Sequence, residues 1–293
     1  MPISNPNASI VQPTTTPSGK PKKILIIMSD ASSFPLYNVG AEGKTVSYRK
    51  EISGKSPYLL TDFTQIDQPS GYFLMELAKP LKALLDAGYE PTFASPLGKE
   101  PTPDPLSVSL LAFAGNYFEK QRELELVEQM KKTKGFSQPT KFGDISDEEL
   151  QNFAGVFIPG GHAPLADLGE DPELGRILSH FHAQQKPTAV ICHGPWAFLS
   201  TKYGPDKEFV YKGYKITSWS DAEEKFMETA VLRGEVPKVE SRLREEGAEM
   251  VEGVAKSAGS ITVDREVVSA ANPMGADALG KRFLEMLNTG GRA

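Results

Sequence analysis

One stretch constrains the fold more than any other: Lys186-Pro-Thr-Ala-Val-Ile-Cys-His-Gly-Pro-Trp-Ala-Phe-Leu-Ser200, which carries the only cysteine in 293 residues. Thr188 to Ile191 is short, apolar and partly β-branched, the pattern of a strand buried on both faces of a parallel sheet. Cys192 ends it, His193-Gly194-Pro195 reads as a tight turn, and Pro195 occupies a position that a first helical turn tolerates. The order strand, Cys, sharp turn, helix is that of a nucleophile elbow, with backbone N–H groups and the positive end of a helix facing the side chain. Those dipoles favour a thiolate, so an acidified Cys192 is expected. A lone buried cysteine is otherwise an ordinary core residue.

The flanking sequence supplies an alternating α/β framework. Lys23 to Met28 predicts a buried strand, followed by a loop at Ser29 to Ser33 on the edge where open α/β sheets bind ligands. Gly71 to Gly88 has helical apolar spacing and a glycine stop, and Glu90 to Ser95 predicts the next strand. A charged surface helix is expected over Asn116 to Lys132, and the capping-box spacing Ser146 to Glu149 starts a short helix within 144–152. Gly155 to Pro164 reads as a strand running into a Gly-rich turn, and Pro172 to Gln184 as a helix whose His180 and His182 lie towards its exposed side. Beyond the elbow helix, Tyr211 to Trp219 predicts an exposed strand or hairpin, with a second capping-box signal at Ser220. Val236 to Gly247 predicts a helix, Ile261 to Ala271 a hairpin about Asp264-Arg265, and Pro273 to Leu287 a closing helix. The stretches 34–70 and 101–145 break the alternation and are expected as insertions or a cap over one domain spanning 22–290.

Composition narrows the function classes. With 38 acidic against 32 basic residues, the net charge of −6 offers no basic field for nucleic acid or anionic lipid. No apolar run approaches a bilayer span. Residues 1–21 are rich in Pro, Ser, Thr and Asn and read as a disordered tail rather than a signal or anchor. One cysteine forbids an internal disulfide and points to a reducing, cytoplasmic setting.

A nucleophile needs a base and a group that orients the base. Of the four histidines, His162, His180, His182 and His193, none follows His193, which excludes a cysteine amidotransferase with a later His-x-Glu pair. His193 can serve Cys192 only if a later carboxylate turns its ring towards the thiol, and Asp221, Glu223 and Glu224 are the candidates. Glu76, a carboxylate among Phe73, Leu74, Met75 and Leu77, is either a first-turn acid complementing the helix dipole or an acid facing the sulfur. Gly160-Gly161 lets backbone N–H groups turn outward as an oxyanion hole, and neither a dinucleotide fingerprint nor a P-loop is present.

These residues carry a family resemblance. The elbow Ala189 to Leu199, the turn Val156 to His162, the Glu76-Leu-Ala-Lys-Pro80 helix with Asp86 to Pro96, and Ser269 to Pro273 together resemble the DJ-1/PfpI superfamily, itself class I glutamine amidotransferase-like. Within it, the likeness is to the branch of heat-shock-type chaperones with glyoxalase III activity. The resemblance implies a flavodoxin-like three-layer α/β/α sandwich with a mostly parallel sheet, often a homodimer. It implies Cys192 as nucleophile, His193 as partner, Glu76 as the acid at the sulfur, Glu224 as third acid with Asp221 second choice, and Gly160, Gly161 and His162 as the oxyanion and substrate-binding turn. The implied reaction takes a 2-oxoaldehyde, methylglyoxal, to lactate without glutathione or any cofactor. Deglycase and stress-response chaperone activities accompany it among similar proteins. A cysteine peptidase or amidase, and a holdase or redox sensor, are the alternative readings of the same thiol. Two departures stand out: residues 82–84 read Lys-Ala-Leu, lacking the metal-site histidine of some bacterial relatives, so no metal is expected, and Ser218-Trp219-Ser220 stands where Gly-Phe-Thr is more usual.

Overall fold

The computed structural model describes residues 22–37, 66–251 and 259–290. In chain order these form β1 (Lys22–Ile27), β2 (Ser33–Leu36), β3 (Ile66–Pro69), α1 (Leu74–Asp86), β4 (Tyr89–Ser95), α2 (Tyr117–Thr133), β5 (Thr140–Lys141), α3 (Asp147–Gln151) and β6 (Phe153–Ile158). There follow α4 (Pro164–Asp167), α5 (Pro172–Ala183), β7 (Thr188–Ile191), a 3₁₀ helix (Gly194–Tyr203), β8 (Lys215–Ile216), α6 (Asp221–Met227), α7 (Val239–Glu245), β9 (Glu249–Met250), β10 (Ile261–Asp264), β11 (Val267–Ala270) and α8 (Ala276–Thr289). The main sheet runs β10-β11-β7-β6-β1-β4-β5. Its pairings are parallel except for the edge hairpin β10–β11.

Strand periodicity divides the core between the two faces. In β1, Ile24 and Ile26 join Leu77 and Leu81 of α1 and Phe283 of α8, whereas Leu25 and Ile27 join Ile177, Leu178 and Phe181 of α5. β7 is buried along its whole length, as its unbroken apolar run requires. Helices cover both faces of a mostly parallel sheet, which is the three-layer α/β/α architecture the sequence implied. Both capping boxes form: Ser146 and Ser220 each accept from the backbone N–H three residues on, and Glu149 and Glu223 reach back to the cap N–H groups.

The helix after the elbow is wound as a 3₁₀ helix, and it crosses α5 so closely that a Cβ added to Gly175 would lie 2.8 Å from Gly204 N. Several expectations are corrected. Tyr211 to Trp219 is not an exposed hairpin: Tyr211 stacks on Phe198 at 3.9 Å, Thr217 N–H donates to Ser269 Oγ at 2.9 Å, and only Lys215–Ile216 is a strand, paired with β9. His180 and His182 are half-buried, and His182 Nδ1 lies 2.9 Å from Glu266. The closing helix starts at Ala276, after a 3₁₀ turn at Pro273–Gly275. Within 101–145, Phe136 and Phe142 are core residues and β5 extends the main sheet. Of 34–70, the flanks pair as β2–β3, and 38–65 lies outside the described residues, as does the 1–21 tail. Among the described residues no helix is long and apolar enough to cross a membrane.

Candidate active site

The end of β7 places Cys192 at the carboxyl edge of the sheet. Its N–H donates to Ala270 O of β11 at 3.0 Å and its carbonyl accepts from Trp219 N–H at 2.9 Å, so the backbone is held from both sides. Held there, Cys192 adopts φ +61°, the left-handed region that a non-glycine residue enters only where its surroundings compel it. The strained turn the sequence predicted is therefore present, and the side chain is 4% exposed.

His193 follows on the turn with its ring 1% exposed. Nδ1 lies 3.2 Å from Cys192 Sγ and Nε2 2.6 Å from Glu224 Oε2. Burial, reinforced by the neighbouring His162, pulls His193 below the usual imidazole range, so the ring is neutral. Burial alone would raise the Glu224 carboxyl, but adjoining His193 and the hydrogen bonds from both histidine rings outweigh it and hold Glu224 well below the ordinary carboxylate range. A neutral ring beside a carboxylate carries its proton on Nε2, leaving the Nδ1 lone pair towards sulfur. That is a nucleophile, base and orienter in line.

The three candidate acids of α6 separate by helical rotation. Asp221 turns to Ser241, accepting from both its N–H and its Oγ, and so braces α7. Glu223 closes the capping box and accepts from Asn272 Nδ2 at 3.1 Å. Glu224 alone of the three reaches the histidines. His162 enters differently from the expectation, which grouped it with the oxyanion turn: its side chain stacks on Phe34 at 4.8 Å and its Nε2 lies 3.2 Å from Glu224 Oε1. Glu224 is thus gripped by one ring on each oxygen. The signal for this was present in Gly-Gly-His, but nothing in one dimension says which way the imidazole points.

Glu76 approaches the sulfur from the other side. Phe73 N–H donates to Gly160 O at 3.1 Å, tying the start of α1 to the Gly-rich turn. Gly160 must lack a side chain, because a Cβ would run into the Glu76 carboxylate and lie 2.5 Å from Cys192 Cβ. Gly161, at φ +97°, is packed against the backbone of Gly71 to Phe73, and its N–H and that of His193 act on the thiol. Both Glu76 oxygens are fully buried without a hydrogen-bond partner of ordinary geometry. Burial, partly offset by the Cys192 thiol, raises its pKa to about 8, so at neutral pH the carboxyl holds its proton.

The expected acidification of Cys192 is not what this arrangement produces. Burial, and after it the nearby Glu76 charge, pushes the thiol well above its ordinary value, and the two N–H groups only partly compensate. Protonation of Glu76 removes the charge penalty. The group placed to accept a thiol proton is His193, with Nδ1 3.2 Å from Sγ.

Glu76 also couples folding to pH. The folded chain keeps the Glu76 proton up to about pH 8, whereas an unfolded carboxyl releases it near 4.5. Between those values the native state binds the extra proton, so this group's contribution to stability is lost as pH rises through the window. Glu76→Gln removes the effect. Its stability relative to wild type should therefore increase from pH 5 to pH 8.5, with an upper bound of about 5 kcal/mol from the size of the shift. Thermal melts across that range check it, and a constant difference would contradict the assignment.

The described residues include one group with metal-ligand geometry, His162, His193 and Glu224, whose ligand atoms all lie within 4.8 Å of one another. The expectation of no metal rested on Lys82 to Leu84 of α1, a different element.

Comparison with known proteins decides the lineage. The DJ-1/PfpI family model matches residues 69–286. The chain belongs to the DJ-1/PfpI family. Its relatives in that family include the protein/nucleic acid deglycase HchA of Pseudomonas aeruginosa, 28% identical over 151 residues, which is 49% of this chain and 51% of that protein. The HchA of Staphylococcus aureus is 26% identical over 226 residues, 75% of this chain and 73% of that one. Among solved DJ-1/PfpI structures, glyoxalase III from Candida albicans matches with a TM-score of 0.66 at 19% identity, covering 90% of this chain and 96% of its own. That last likeness is one of fold, and it agrees with the flavodoxin-like sandwich described above.

Proposed function

We propose that this chain is a glutathione-independent glyoxalase that converts methylglyoxal into lactate, working in a reducing, cytoplasmic setting as a homodimer. The observation that carries the reading is the sulfur itself, 3.2 Å from His193 Nδ1, with the buried Glu76 carboxyl packed beside Cys192 at Gly160. The names of the curated relatives support an enzyme of this kind. The enclosure of Cys192 suits a small dicarbonyl better than a peptide, which tells against a peptidase.

The chemistry follows from the geometry. Cys192 Sγ bonds to the aldehyde carbon while its proton passes to His193 Nδ1, and Glu224 stabilises the imidazolium that results. The carbonyl oxygen becomes an oxyanion facing the Gly161 and His193 N–H groups, then takes the proton of the Glu76 carboxyl as the hemithioacetal forms. The Glu76 carboxylate left by that transfer takes the hydrogen of the former aldehyde carbon as a proton while the His193 imidazolium protonates the neighbouring carbonyl oxygen, giving an enediol; Glu76 then returns its proton to the neighbouring carbon as His193 takes the hydroxyl proton of the sulfur-bearing carbon. A thioester of lactate remains, and water cleaves it to lactate and the free thiol. No redox partner is required, because one carbon is oxidised as its neighbour is reduced.

The test is lactate formation from methylglyoxal without glutathione. Wild type should turn over, and Glu76→Gln should lose about 10²-fold or more in kcat while Cys192 remains open to iodoacetamide. Absence of lactate from wild type, or full turnover by Glu76→Gln, would defeat the assignment. The deglycase names of the relatives favour a second substrate form, methylglyoxal already added to a thiol or amine. Lactate release from such adducts faster than free methylglyoxal can supply it is the outcome expected of a deglycase.

A further inference from the structure

We propose that His162, His193 and Glu224 form a binding site for a divalent transition-metal ion of the Zn²⁺ type, and that occupancy switches the Cys192 site off. The binding claim stands on the donor set alone, and the inhibition rests on the catalytic reading above.

Two imidazoles and a carboxylate are the donor set that suits Zn²⁺ rather than Mg²⁺ or Ca²⁺. They come from three separate elements: the turn after β6, the turn after β7 and the first turn of α6. Their potential ligand atoms nevertheless converge, with His162 Nε2 3.2 Å from Glu224 Oε1 and His193 Nε2 2.6 Å from Oε2. A tetrahedral ion with bonds of about 2.0–2.1 Å separates its ligand atoms by roughly 3.3 Å, so small side-chain adjustments convert the hydrogen-bonded cluster into a coordination shell. Both rings are held in place from behind, His162 by Phe34 at 4.8 Å and His193 by Trp219 at 5.6 Å, and such support lowers the cost of ordering ligands. His162 is the most open of the three, with a tenth of its side chain exposed against 1% for Glu224, and so marks the side of entry.

Binding and catalysis compete for the same atom. In the metal-free site His193 keeps its proton on Nε2 and offers Nδ1 to the thiol. Coordination through Nε2 requires that proton to leave, and the neutral ring then carries it on Nδ1. With Nδ1 protonated, His193 no longer accepts the proton of Cys192. The sulfur sits at the opposite edge of the ring, 3.2 Å from Nδ1, and is not a ligand of this site.

The experiment uses the full chain, freed of metal with EDTA and titrated with Zn²⁺ against a chromophoric chelator. One Zn²⁺ should bind per chain, with affinity unchanged within about threefold in Cys192→Ser. His162→Gln and Glu224→Gln should each weaken binding at least tenfold, as expected for loss of a ligand, and thermal melts establish that each variant is folded. His182→Gln, which alters the other histidine–carboxylate contact, should leave binding as in wild type. Loss of binding in Cys192→Ser with retention in His162→Gln would place the ion on the thiol and overturn the site, as would no stoichiometric binding by wild type. None of these readouts needs turnover, so their failure is distinct from failure of the glyoxalase reading. In an active preparation, saturating Zn²⁺ should reduce turnover at least tenfold and EDTA should restore it; bound Zn²⁺ with undiminished turnover would overturn the switch.

Discussion

Cys192→Ser is expected to lose methylglyoxal turnover by about 10³-fold or more, the scale on which removing a nucleophile acts when the rest of the machinery stays intact. The substitution is close to isosteric, so the elbow should persist: the Cys192 N–H to Ala270 O and Trp219 N–H to Cys192 O bonds are main-chain contacts that any side chain leaves in place. A hydroxyl at that position is a poorer nucleophile than a thiol, and it meets the same burial that already disfavours the anion. Steady-state kinetics beside wild type, with a thermal melt to show an unchanged fold, checks the expectation. Turnover within tenfold of wild type would mean the sulfur does not make the bond.

Glu224→Gln is the more informative loss. The amide fits the carboxylate's space but brings an NH₂ group as well as a carbonyl to the rings. It can no longer hold the Nε2–H tautomer of His193 by charge, nor stabilise the imidazolium after proton transfer. The template of the serine-protease triad puts such a change at about 10⁴ in kcat; a range of about 10²–10⁴ is expected here because Glu76 remains. The loss should fall in kcat rather than KM, and it should be accompanied by slower alkylation of Cys192, since the thiol depends on His193 for its proton acceptor. Asp221→Asn should instead affect stability, through the contacts to Ser241 that tie α6 to α7, with kcat near wild type. Equal kinetic damage from both variants would remove the distinction the structure draws.

Much of the fold was legible because its signals are local. The run Thr188 to Ile191, the capping boxes at Ser146 and Ser220, the Asp264-Arg265 turn and the amphipathic α1 each declare themselves within a dozen residues, and each forms. The rest depends on distant partners. Tyr211 to Thr217 has enough lysine and glycine to look solvent-facing, yet Phe198 and Ser269 claim it for the interior. The 3₁₀ winding after the elbow goes with a close crossing of α5 at Gly175, which no feature of Gly194 to Tyr203 announces.

The candidate site divides in the same way. Sequence alone determined the strand, cysteine and turn, because a buried apolar strand broken by His-Gly-Pro has few ways to continue, and it named the residue types that thiol chemistry needs. Only the tertiary structure decided which acid reaches the histidines, since Asp221, Glu223 and Glu224 differ by rotation about one helix axis and by what happens to stand opposite each. It also decided that His162 shares Glu224 and that burial outweighs the dipoles at Cys192. Those outcomes turn on distances between groups far apart in the chain, and electrostatic energy in a low-dielectric interior follows distance and desolvation rather than order along the chain.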